Sequence, residues 1–553
     1  MNATPNYSAD ERALFAEIAR QPLRNEPRLR YAQWLRNRGD ERLAEFIRIQ
    51  CELDELHPAE RRYFELSHRE HPLLHEFQQH WEERFVNLPV DFNGFDRGLV
   101  GHVSMEPKEF AECGGQLLEL CPWVSRISLH GDLEEFPRSP HWANIAAVQI
   151  AGSLGPDWIS AALAGEGGFQ RLVEFDLWEA EVSEDDLRLL ANAPAMASLQ
   201  KLGLSECGLN AGRLEVLFSG QPLPDLQTLR MLMNPFGDEA MEVLAQWHGL
   251  RTVEDLDLDE CSIKAFGAQI LADSRHAGEL RKLSIQSNPI NGEGAAALLA
   301  SRRMTSLKKL QMDNCEVTDA GLKPLETDPG PAMIESIGLR GNQVGDDGAQ
   351  HVARSPQMKR CRYLELGDDI GPRGVRAIVR SDNLQGVKVL ALADNQFGNE
   401  GARELALGSL TQIEDLFINN CGIGPEGVAS LARSRLASNL ARLTLSDNPI
   451  GDDGARAIAE SESFRRLASL DLWEAGISDD GIIELANSAN LPEMQDLQLS
   501  FNEMTDAGAD AFINSRGYSK LTTLWLPDAD DEEVGERREA RLRKRFGEAI
   551  DLG

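Results

Sequence analysis

Nowhere does the chain carry an uninterrupted apolar run of about 18 residues, so it has no segment able to cross a bilayer as a helix, and no membrane partner is expected. The opening residues MNATPNYSAD lack the basic and apolar regions of a secretory signal, which predicts a cytoplasmic protein. None of the eight cysteines forms a Cys-x-x-Cys pair, so a redox or zinc framework of that kind is excluded. Basic residues are scarce: 56 Lys and Arg stand against 90 Asp and Glu, a formal charge of −34. Such a chain lacks the basic face that a nucleic-acid backbone needs, and it would steer a basic protein partner. Nucleophile elbows, phosphate loops and zinc-protease motifs are missing too. Acids scattered over a surface make no general acid–base pair without a pocket, so neither an enzyme nor a cofactor is expected.

What the chain does have is a repeat. Apolar residues in the pattern L-x-x-L-x-L recur from Ile145 through Leu172, Leu199, Leu226, Val253, Leu280, Leu307, Ile334, Cys361, Val387, Ile413, Leu440, Leu467 and Met494 to Leu521. Twelve of the 14 intervals are 27 residues and two are 26. Each strand-like segment is followed by Asn or Cys, then an apolar residue, then a Gly- and Ala-rich helical stretch. Cys207, Cys261, Cys315 and Cys421 stand where other repeats carry Asn, which predicts small buried thiols rather than disulfides. A glycine recurs in the helix at Gly267, Gly294, Gly321, Gly348, Gly374, Gly401, Gly427, Gly454, Gly481 and Gly508. Glycine inside a helix costs about 1 kcal/mol relative to alanine, so this position implies close packing. The repeat at Cys361 has lost a residue in its strand-exit turn, and an irregularity is expected there.

This unit is identified as a leucine-rich repeat, and it resembles the long class found in ribonuclease inhibitor and Ran GTPase-activating protein. The resemblance implies an α/β solenoid: a horseshoe with parallel inner strands and outer helices. The N-terminal segments Asp10-Glu-Arg-Ala-Leu-Phe-Ala-Glu-Ile-Ala-Arg20, Pro27-Arg-Leu-Arg-Tyr-Ala-Gln-Trp-Leu35, Arg38-Gly-Asp40 and Ala44-Glu-Phe-Ile-Arg-Ile-Gln50 resemble the repeat-companion domain, as do His80-Trp81 and Arg545-Phe-Gly547. That domain precedes leucine-rich repeats in a family of bacterial proteins. Its usual acidic residue before Trp-Leu is Gln33 here, and residues 22–26 are less acidic than the pattern. The resemblance implies a bacterial source and brings no catalytic residues with it.

The expected organisation is a helical domain over residues 1–56, a helical connector and N-terminal cap over 57–123, the solenoid over 124–526 and a C-terminal cap helix or tail over 527–553. Three short helices are expected in residues 8–56, the first capped by Ser8 or Asp10. Asp91-Phe-Asn-Gly-Phe-Asp96 reads as irregular, and residues 99–103 as a strand. His68, His71, His75 and His80 crowd one segment, but no third metal ligand is set by spacing, and solvated or capping histidines are expected. Arg537, Arg538, Arg541, Arg543, Lys544 and Arg545 follow an acidic run on a helix that closes the last repeat, in the sense the helix dipole favours.

Alternation along each strand sends every second side chain outward, and a partner should meet those positions. Asp255, Asp257 and Asp259 form an outward acidic stripe flanked by Arg230 and Lys282; a protein contact or a screened patch is favoured there over Ca²⁺. The pentapeptide Asp-Leu-Trp-Glu-Ala occurs at 176–180 and 471–475, placing Trp178, Glu179, Trp473 and Glu474 at the surface. Tyr363, Phe417 and Trp525 also take outward positions. Aromatics comprise only 6% of the chain, so outward ones are candidate anchors. The expectation is a monomeric, non-enzymatic scaffold that binds a basic protein on its concave face. The alternatives, by fold analogy, are a regulator of a small GTPase or an inhibitor of a basic enzyme.

Overall fold

The computed structural model describes residues 7–56, 61–527, 532–547, 550 and 552. It separates into two compact units, one of Met1–Pro58 with Arg62–Asn288, the other of Pro289–Gly553 with Ala59–Arg61.

The first unit begins with three helices, α1 (Ala9–Arg20), α2 (Glu26–Asn37) and α3 (Glu41–Leu53), then a longer one, α4 (Arg61–Phe85). Ser8 caps α1 in a capping box: its hydroxyl accepts from the Glu11 N–H, and its own N–H donates to the Glu11 carboxylate. The Asp40 carboxylate accepts from the Leu43 N–H and starts α3. The segment Asp91–Asp96, expected to be irregular, is a strand (β1) paired antiparallel with β2 (Leu99–Met105). Asn93 and Gly94 favour a turn locally, but β2 supplies the hydrogen bonds that hold the segment extended, with register shifts at Gly94.

Residues 7–56 pack closely on this hairpin. Phe15 lies 5.0 Å from Tyr31 and 4.8 Å from Trp123 between ring centroids, and Phe46 lies 4.9 Å from Phe95. Gly98, with φ +82°, allows the approach: a Cβ there would sit 2.3 Å from the Ile47 Cα. Beside it Asp96 receives two buried guanidiniums, from Arg28 at 2.7 Å and Arg97 at 2.7 Å. Arg28 also donates to the Pro22 carbonyl and Arg97 to Asn25 Oδ1, so most of the buried charge is hydrogen-bonded.

From Arg126–Leu129 onward the chain repeats strand, turn and helix. Within each unit successive strands pair in parallel, as in Glu174–Trp178 with Lys201–Ser205 and Ser469–Asp471 with Asp496–Gln498. The inward leucines, among them Leu443 and Leu445, are buried, and helix residues such as Ala455 and Ile458 cover them. At the repeat expected to be irregular, the strands Ser336–Gly345 and Tyr363–Asp369 lengthen and pair again beyond a register shift between Leu339 and Val344.

Three polar ladders tie neighbouring repeats together. At the strand exit, Asn448 is buried; its Oδ1 accepts from the Cys421 and Ile423 N–H groups, and its Nδ2 donates to the carbonyls of Ile418, Leu445 and Ser446. Asn234, Asn288, Asn342, Asn395 and Asn502 are built alike. The alternating cysteines are buried there, as expected, with thiols directed at backbone carbonyls. At the helix C-terminus, Ser274, Ser381, Ser461 and Ser488 donate to a carbonyl of the preceding repeat.

The third ladder explains the recurring glycine. An Asp or Asn near the start of one helix caps the next: Asp452 accepts from the Ser478 and Gly481 N–H groups, Asp479 from those of Thr505 and Gly508, and Asn399 from those of Gly424 and Gly427. A Cβ at Gly267, Gly348, Gly374, Gly427, Gly481 or Gly508 would lie 2.5–2.8 Å from the Oδ1 of the capping residue. Burial opposes ionisation of Asp452, yet bonds from Ser478 and Gly481 outweigh it and hold the carboxyl below its ordinary range. Gly481→Ala gains helix propensity but drives a methyl into Asp452, Ile477 and Ala455. A net loss of about 1–3 kcal/mol is expected in urea unfolding, and an unchanged midpoint would refute the packing account.

A last helix, Glu532–Phe546, lies against the final repeat. Arg541 pairs with Asp510 at 2.6 Å, Arg538 bonds Asp506 and the Pro527 carbonyl, and Arg545 donates to the Ser515 and Gly517 carbonyls. The basic cluster therefore engages the end of the repeat stack, and Leu542 and Ile550 are buried there. Residues 528–531 of the preceding acidic run lie outside the described residues.

Candidate functional site

The outward side of the strands carries the candidate residues. In most repeats the strand is followed by a residue that turns the chain with left-handed backbone. Glu179, Glu206, Met233, Glu260, Ser287, Asn314, Asp394, Asn420, Asp447, Glu474 and Phe501 all take this position, with φ between +49° and +61°. Asn and Asp tolerate this region best, while a bulky residue there costs about 1–2 kcal/mol.

In the first unit, the structure brings Asp255, Asp257 and Asp259 together but leaves them only half-exposed. Lys282 pairs with Asp255 at 3.5 Å, and Arg230 stands opposite Asp257 in the strand register. Asp259 accepts from Ser284 Oγ at 2.7 Å, the Gln286 N–H at 2.7 Å and Gln286 Nε2 at 3.1 Å. Burial, then the neighbouring Asp257, pushes the Asp259 carboxyl up to about 6 despite these bonds. Burial also raises Asp257 and Asp176. Among the described residues no group of three or more His, Cys, Asp and Glu side chains is arranged to hold a metal ion, and this stripe is a partly neutralised patch.

A pH dependence follows from Asp259. Its folded pKa lies above the unfolded value of about 3.9, so ionisation works against folding as pH rises from about 4 to 6 and the penalty is constant above that. Asp259→Asn, which keeps an acceptor for Ser284 and Gln286, is expected to raise the melting temperature at pH 8 and to have less effect at pH 4. Equal effects at both values would contradict the assignment.

Trp178 lies half-buried at the end of its strand, its indole N–H 3.2 Å from Glu179 Oε1. With Asp176, Gln149, Ser128 and His130 it lines a depression of about 400 Å³. In the second unit the Tyr363 hydroxyl donates to Glu365 at 2.5 Å, and Phe417 faces the Arg442 guanidinium at 5.7 Å. Arg442 in turn pairs with the buried Asp415 at 2.7 Å. These two aromatics are therefore engaged within the protein.

Trp473 and Trp525 differ. Trp473 stacks obliquely on Phe501, with centroids 5.1 Å apart, and Phe501 is 71% exposed. Trp525 is 40% exposed. Phe501 escapes a reading based on strand alternation because it sits in the turn; the signal for it is a bulky aromatic at a position where most other repeats place a polar residue. Asp471, half-buried and raised by burial, accepts from the Trp473 N–H at 3.0 Å; Asp447, exposed, donates its N–H to the Trp473 carbonyl, and Glu474, exposed, follows in the turn. The histidines of the N-terminal segment act locally: His68 Nδ1 contacts the Phe64 carbonyl, Gln79 contacts His75, and His80 packs on Trp81.

A family model described as Leucine Rich repeat matches residues 280–299, 303–325, 386–406, 437–459 and 492–512. Ribonuclease inhibitor of Mus musculus is 29% identical over 273 residues, covering 45% of this chain and 58% of that protein. Ran GTPase-activating protein 1 of Xenopus laevis is 33% identical over 114 residues, 18% of this chain and 20% of that protein. The chain spans about half the length of the ribonuclease inhibitors it matches. Among solved structures, an internalin from Listeria monocytogenes aligns at a TM-score of 0.39 and 18% identity, covering 63% of this chain and 89% of that one. Among the described residues no helix is long and apolar enough to cross a membrane.

Proposed function

Because the chain is a leucine-rich-repeat protein of the class that includes ribonuclease inhibitor and Ran GTPase-activating protein, we propose that it is a non-enzymatic scaffold that binds a basic protein partner on its strand face. The observation that carries this reading is the Trp473–Phe501 pair, with Trp525 exposed on the strand next to the one that Phe501 follows. Phe501 is 71% exposed and also held in left-handed backbone, two costs set against a single tilted ring contact, with Trp473. Aromatics with carboxylates beside them suit a partner that presents arginine or lysine, through ring faces and through charge. The surplus of 34 negative charges favours the same sign of partner. Asp255, Asp257 and Asp259, with Arg230, extend the reading to a second patch in the first unit, and Trp178 with Glu179 to a third. Tyr363 and Phe417 carry less of it, since internal partners occupy them.

The eight free thiols, seven of them buried, fit a reducing compartment, and we place the protein in the cytoplasm as a monomer. Activation of a small GTPase has no observation of its own in its favour; unchanged GTP hydrolysis by the host's small GTPases on adding the chain is the expected result. The binding test is capture from host lysate by immobilised wild type and by Trp473→Ala/Phe501→Ser. The expected result is a basic protein retained at low salt, weakened at high salt, and at least about tenfold depleted on the variant. A partner retained equally by both would remove the pair from the site.

A further inference from the structure

Away from the strand face, the first unit holds a cationic cluster that the proposed scaffold does not use. It lies at two short 3-10 turns that follow successive helices: His248 and Arg251 within His248–Arg251, and Arg275 and His276 immediately before Ala277–Glu279. His276 is 1% exposed. Arg251 Nε stands 2.8 Å from its Nδ1, Arg275 Nε stands 3.3 Å from its Nε2, and the His248 ring lies 4.7 Å away between centroids.

The arrangement has too many donors. A neutral imidazole offers one acceptor nitrogen, so only one of the two guanidinium contacts can be a hydrogen bond, and the other sets N–H against N–H. Protonating the ring would oppose both contacts and add a third positive charge. Burial, followed by Arg251, His248 and Arg275, accordingly lowers the His276 pKa. Asp273 and Glu279, the nearest carboxylates to Arg275 in sequence, pair with neither arginine, Glu254 beside Arg251 pairs with Arg281 at 3.3 Å, and no ion pair to Arg251 or Arg275 occurs among the described residues.

The position itself has a different use elsewhere. Two residues after the ladder serine, Asn383 and Asn490 donate back to the carbonyls of Ala353 and Ala459. His276 has the same serine support: Ser274 Oγ accepts from its N–H and donates to the Ala245 carbonyl. Its ring turns instead toward the arginines. Beside His248 opens a cleft of about 1000 Å³, lined also by Trp247, Phe218 and Thr252. Trp247 is fixed there by stacking on Phe218 at 4.2 Å and by lying over Gly249, where a Cβ would meet the indole at 2.1 Å.

We infer that His248, Arg251, Arg275 and His276 form an anion site for a phosphate group, a dianion rich in acceptors that takes the surplus donors of both guanidiniums. Arginine forks match phosphate oxygens in geometry as well as in charge. The phosphate is either free or carried on a polypeptide side chain, with the adjoining cleft open to the chain that carries it.

The test is equilibrium dialysis of the full-length protein against radiolabelled inorganic phosphate at about 0.15 M ionic strength, where exposed charges are largely screened. One saturable site per chain is expected. Arg251→Gln/Arg275→Gln is expected to weaken it at least about tenfold. So is His276→Asn, which restores the residue found at two equivalent positions and so preserves the fold. Arg48→Gln, an exposed arginine elsewhere in the unit, should leave it unchanged. A phosphoserine peptide binding more tightly than inorganic phosphate identifies a carried phosphate; equal binding identifies the free ion. No saturable binding, or an equal loss in Arg48→Gln, would overturn the proposal.

Discussion

Asp96→Ala is expected to lower the stability of the first unit by about 3–5 kcal/mol. The substitution leaves Arg28 and Arg97 buried at 4% and 7% exposure with no carboxylate between them, and uncompensated buried charge costs that much. Asp54, 3.7 Å from Arg97 but half-exposed, cannot replace it. Asp54→Ala should therefore cost no more than about 1 kcal/mol. Burial alone would raise the Asp96 carboxyl, but the hydrogen bond from Arg97 and the charge of Arg28 hold it far below the ordinary range. Its folded pKa is depressed, so its contribution is complete above the unfolded value of about 3.9 and is lost only as pH falls further toward the folded one. The difference between wild type and Asp96→Ala in urea midpoint, followed by tryptophan fluorescence, should stay constant from pH 8 to about pH 4. A difference below about 1 kcal/mol would contradict the account.

Asn448→Ala should cost about 3 kcal/mol or more in the second unit. It removes the acceptor for two buried N–H groups, Cys421 and Ile423, and the donor for three carbonyls; each buried group left unpaired costs about 1–3 kcal/mol. Cys421→Ala, one repeat earlier at the matching position, removes only a weak thiol donor and should cost about 1 kcal/mol. Urea unfolding of the two variants side by side is the check. Equal losses would mean that the ladder works by packing volume and not by hydrogen bonds.

The two ladder positions were unequally legible. Asn448 and Cys421 stand at a fixed offset from the L-x-x-L-x-L pattern, so the sequence alone marks the strand-exit ladder. The Asp452–Gly481 and Ser488–Ala459 links join residues 29 apart in different repeats, and only the packed helices bring them together. The glycine at 481 was visible as a regularity, but the carboxylate it makes room for was not. The β1 strand was hidden for another reason: Asn93 and Gly94 are turn formers, and the strand owes its form to β2. Among the outward aromatics, alternation marked Trp473 and Trp525 but could not separate them from Tyr363 and Phe417, whose partners Glu365 and Arg442 occupy them in the fold. Phe501 lay outside the alternation altogether.

Phe15, Tyr31 and Arg28 are buried against Trp123 and Asp96, so a chain lacking the first 56 residues would expose apolar surface and two opposed charges. Surface substitutions separate the N-terminal helices from the strand face as candidate binding modules without that damage.

The most direct measurement is hydrogen exchange of the full chain with and without its captured partner. The expected result is protection concentrated in the strand-exit turns around residues 446–448, 473–476 and 500–503, with the helical side unchanged. Protection confined to residues 7–56, or to the outer helices, would contradict the assignment of the partner to the strand face.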